Sequence, residues 1–108
     1  MSTAMAARDL QRLASFYQAG YQNRFLDAAL HKVVLHQIQR DEEDLERVEA
    51  VLADFERRYG ISSDEFWAQY QAGQKSDEAD WVEWNAFCRM RQRLVERLRL
   101  LRGDTTGA

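Results

Sequence analysis

The stretch Tyr59–Leu101, YGISSDEFWAQYQAGQKSDEADWVEWNAFCRMRQRLVERLRLL, decides how the chain folds. It holds all three Trp and the lone Cys. Gly60 follows a helical pattern and suits a C′ position, where a left-handed backbone costs glycine nothing. Ser62 stands three residues before Glu65, the capping-box spacing that opens a helix. Phe66, Trp67 and Tyr70 share one side of the short helix that follows, and Gly73 stops it. Gln74–Ser76 is a polar turn, after which Ser76 or Asp77 is expected to cap a final helix with Asp77, Glu78 and Asp80 in its first turn. Trp84, Phe87, Leu94, Leu98 and Leu101 give that helix an apolar stripe, which Trp81, Cys88 and Val95 widen. Arg91 interrupts the stripe and needs a carboxylate or an aromatic face.

Upstream, Leu45, Val48, Leu52, Phe55 and Tyr59 form a second stripe, with clean steps of three and four. Leu26, Leu30, Val33 or Val34, and Ile38 form an earlier one, and the polar band Gln39–Asp44 lies between. Ile38 to Leu45 is one heptad, so helical register survives the band and one helix can run from residue 22 to 59. Such a helix is about 57 Å long, against about 30–35 Å across a compact domain of this size. Both ends therefore need cover. The final helix can fold back antiparallel on Leu45–Tyr59 through the short helix. The N-terminal helix, or a second subunit, can cover Leu26–Ile38. The expected fold is all-α: helices over 1–20 (Thr3 to Ala19, with Leu10, Leu13, Phe16 and Tyr17 on one face, Gly20 ending it), 22–59, 62–73 and 76–102, then a frayed tail at 103–108, within one domain and in an elongated homodimer.

Composition narrows the function. With 108 residues, 45% hydrophobic and 31% charged, no Pro and five Gly, the chain suits long helices and one modest core. A net charge of −3 argues against nucleic-acid binding by the whole surface. One Cys permits neither an internal disulfide nor a Cys-based zinc site, so a reducing cytoplasm is expected. No apolar run approaches membrane-spanning length, and MSTAMAARDLQR lacks the apolar core of a signal peptide. No cofactor or metal is expected. His31 and His36 are five apart, on different sides of a helix, and Asp27 with His31 is too small a ligand set.

Three constellations remain. Arg89, Arg91, Arg93, Arg97, Arg99 and Arg102 make a basic ridge, either for nucleic acid or as a solvated face paired with the acids of the facing helix. Phe66, Trp67, Tyr70, Trp81 and Trp84 cluster around the acidic turn with Asp77, Asp80 and Glu83, and are the candidate protein interface together with Arg91. Arg24 and His31 enclose six residues. That spacing resembles the signature of metal-independent HEPN ribonucleases, in which an Arg and a His meet across a dimer cleft. Phe25 stands where that pattern favours a polar residue.

The second half, Leu45–Leu101, resembles a group of small prokaryotic α-helical proteins. The likeness is carried by Arg58-Tyr59-Gly60, Ser62-Ser63-Asp64-Glu65-Phe66, Tyr70, Gly73, the acids of Asp77–Asp80, Trp81-Val82-Glu83-Trp84, Met90 and Arg93-Leu94. Gln74-Lys75-Ser76 and the Met1–Gln22 extension depart from the pattern. The resemblance implies the antitoxin or accessory component of a two-gene toxin–antitoxin-type operon, without catalytic activity. On this reading the chain is a regulatory protein docking a small protein partner; the alternatives are a HEPN-like ribonuclease using Arg24 and His31, or a nucleic-acid binder using Arg89–Arg102.

Overall fold

The computed structural model describes residues 3–104, so the expectations for residues 1–2 and 105–108 lie outside the described residues. Four helices follow one another: α1 (Thr3–Gln18), α2 (Arg24–Tyr59), α3 (Ser63–Gln71) and α4 (Ala79–Leu101). The described residues contain no strand. The all-α order read from the sequence is therefore the order observed. By its contacts the chain divides into two units, one ending at Val34 and one beginning at Leu35.

The helix ends follow local chemistry. Gly60 (φ 72°) and Gly73 (φ 76°) close α2 and α3 in the left-handed region, where a side chain would strain the backbone. Ser62 caps α3: its side chain accepts the Glu65 amide hydrogen at 3.1 Å. At the start of α2, the Asn23 side-chain oxygen accepts the Leu26 amide hydrogen at 2.7 Å, so the helix begins two residues after the expected Gln22. The start of α4 differs more. Neither Ser76 nor Asp77 caps it; α4 opens at Ala79, with Glu78 in the cap position and no side-chain cap. Only Asp80 of the expected acids is in the first turn. Asp80 is held by the Arg58 guanidinium at 2.9 Å and by the Tyr59 hydroxyl, and Lys75 lies 4.9 Å from the Trp81 ring centre. These tertiary contacts, rather than a cap, set where the helix begins.

In the second unit α4 runs antiparallel to α2. Arg97 and Arg102 of α4 meet Asp41 and Glu42, while Trp81 and Trp84 meet Tyr59 and Phe55 at the other end. α3 packs against α4 and closes the aromatic end. The core is Val48, Leu52, Phe55, Phe66, Trp84 and Cys88. Trp84 is its centre, with no exposed surface. Its ring stacks on Phe66 (4.0 Å, 3°) and on Phe55 (5.2 Å, 9°), so one indole joins three helices. Its Nε1–H donates to Ser63 Oγ at 3.0 Å, and the Ser63 amide donates to Glu56 Oε2 at 2.7 Å, which satisfies the polar groups that this packing buries.

A second polar cluster lies at the far end. Asp41, from the band read as polar, is only 1% exposed. It accepts two hydrogen bonds from Arg97 (2.7 and 3.1 Å) and one from Gln37 (2.8 Å). Arg97, helped by Gln37, holds the carboxyl below the usual aspartate range despite burial.

The first unit is built differently. Tyr17 OH donates to Asp27 at 2.5 Å, linking α1 to α2, and this pushes the phenol up to about 12. Phe16 stacks on Tyr21 in the turn. Leu13, Tyr17, Leu26 and Leu30 are half-buried, and no residue of α1 is buried.

Candidate functional site

The aromatic cluster separates into two layers. Phe66 and Trp84 are core residues with no exposed surface, so they support the corner between α3 and α4 from behind. Trp67, Tyr70 and Trp81 are half-buried and form its outer layer. Trp67 Nε1–H donates to Asn85 at 2.8 Å, which holds the indole across the two helices. Trp81 packs on Tyr59 at 4.6 Å and carries the Lys75 ammonium near its ring.

The acids around Trp81 also differ from one another. Asp80 is engaged by Arg58 and Tyr59, and its carboxylate raises the Tyr59 phenol above its ordinary range. Asp77, Glu78 and Glu83 are exposed, and among the described residues no cation pairs with them. Val82, 47% exposed, stands between Trp81 and Glu83. The corner thus presents uncompensated negative charge beside an aromatic ring that already holds a cation.

Arg91 resolves simply. Its guanidinium donates to Asp64 at 2.6 Å, tying α4 to the start of α3, and the side chain is 27% exposed. It secures the corner through that ion pair with α3. The ridge is largely compensated as well. Besides Arg91, Arg97 pairs with Asp41, Arg99 with Glu96 at 2.6 Å, and Arg102 with Glu42. Among the described residues only Arg89 and Arg93 of the six make no ion pair.

Cys88 is packing, not a nucleophile. It is 1% exposed, and burial pushes its thiol up to about 11. Arg24 and His31 are both exposed on α2, seven residues and thus about 10.5 Å apart along the axis. Within one chain they do not meet. Among the described residues no group of three or more His, Cys, Asp or Glu is placed to hold a metal, and no helix is long and apolar enough to cross a membrane.

One feature escaped the sequence reading. Between α2 and α4 lies an open groove of about 510 Å³, with Val48, Val51, Phe87 and Leu94 in its walls and Arg47 and Arg93 among its polar residues. Phe87 and Leu94 fall on the apolar stripe of the last helix, but spacing alone does not show that the facing stripes part here. No protein-family model, curated protein or solved structure matches the chain.

Proposed function

We propose that the chain is a non-catalytic, antitoxin-like binding protein, acting in the cytoplasm, that docks a small basic protein through the α3–α4 corner. One observation carries this reading: Asp77, Glu78 and Glu83, which make no ion pair among the described residues, flank Trp81, whose ring already holds the Lys75 ammonium at 4.9 Å. Lys75 over the Trp81 ring models the contact a partner's Lys or Arg would make. The ring offers a fixed apolar platform, and the carboxylates steer a cationic surface toward it. The resemblance of Leu45–Leu101 to antitoxin-type proteins points the same way. A lone buried thiol fits a reducing compartment.

The test is capture of the partner by tagged chain in its native host, with wild type beside an Asp77→Lys/Glu83→Lys variant. Both substitutions are on the surface and should leave the fold intact. A single basic protein held stoichiometrically by wild type and lost by the variant is expected. A folded variant that retains the same partner would contradict this assignment of the surface.

A further inference from the structure

The first unit exposes more apolar surface than a finished structure should. None of its described residues is buried. Leu10 is 64% exposed, Phe25 82% and Val33 66%.

The start of α2 has the form that a two-fold contact requires. Phe25 projects from the start of α2. Beside it Ala28 and Ala29 floor a shallow hollow of about 280 Å³, with Phe25 and Lys32 on its walls. A projecting ring and a recess thus occur on one face, a turn apart. In an isologous contact each copy must supply both parts, because residue i meets j while j meets i. This face does so with its own residues. An unrelated partner would need to match the ring and the recess separately.

We propose that a second copy of this chain covers α1 and the first turns of α2 across a two-fold axis, with Phe25 of each copy seated in the Ala28–Ala29 hollow of the other. The proposal rests on no residue of the α3–α4 corner, so the inference stands apart from the function proposed above.

Light scattering of the full chain across the micromolar range should give twice the chain mass. Phe25→Glu should weaken association roughly 100-fold or more, as loss of a central aromatic anchor does. Should Phe25→Glu fail to fold, a milder pair of variants decides. Ala29→Cys should join two chains through a short bismaleimide linker, whereas Met90→Cys, at the α2–α4 groove, should not; Cys88 is buried and silent. A monomeric wild type, a folded Phe25→Glu that remains dimeric, or linkage through Met90 alone would overturn the proposal.

Discussion

The two units use the same kind of amphipathic helix and reach different ends. In the second, α2 and α4 bury their stripes against each other and α3 around Trp84. In the first, α1 has an apolar face of its own, yet buries no residue. What differs is ring supply. Phe55, Phe66 and Trp84 are fully covered because three helices converge on them. Phe16, Tyr21 and Phe25 have only one helix pair to lean on and stay exposed. A helix of 16 residues gains little stability by itself, so α1 depends on what packs on it.

That contrast sets the order of expected effects. Trp84→Ala should cost about 3–5 kcal/mol in chemical denaturation, because it opens a cavity among three helices and leaves Ser63 without its donor. Arg97→Ala should cost about 3 kcal/mol, at the low end for orphaning a buried charge, because water reaches the Arg97 side of the pair. The same pair predicts acid sensitivity. The Asp41 carboxyl is lowered in the folded state from its ordinary 3.8, so the unfolded chain binds the proton first. Its contribution is whole above pH 3.8 and is lost as pH falls below that value toward the folded pKa. Asp41→Asn should flatten that part of the stability curve. Smallest is Leu10→Ala, which should change the stability of dilute protein by no more than about 0.5 kcal/mol, as at an open surface position. A large loss there would mean that α1 is packed within the single chain, and the contrast between the units would fail.

Much of the fold was legible in the residues. Of the stripe Leu45, Val48, Leu52, Phe55 and Tyr59, the middle three are buried as the spacing predicts, while Leu45 is half-buried and Tyr59 exposed at its ends; Gly20, Gly60, Gly73 and Gly103 all fall just after helices with positive φ. These are local signals, carried by periodicity and by backbone freedom. Asp41 was not legible, because its burial depends on Arg97, 56 residues away, and neither residue alone marks the pair. The same holds for the corner. The sequence brings Asp77, Asp80 and Glu83 to one turn, but only the reach of Arg58 and Tyr59 from α2 decides that Asp80 is engaged while its neighbours stand free. Periodicity likewise placed Phe66 and Trp84 with the other aromatics, and tertiary packing sorts them into the core.

The most direct measurement is amide hydrogen exchange across a dilution series, comparing α1 and the start of α2 with α3 and α4. Protection in Thr3–Gln18 that falls as the protein is diluted, with α3 and α4 unchanged, is the predicted result. Protection in α1 that is strong and independent of concentration would contradict the account, since the first unit would then be complete without a second copy.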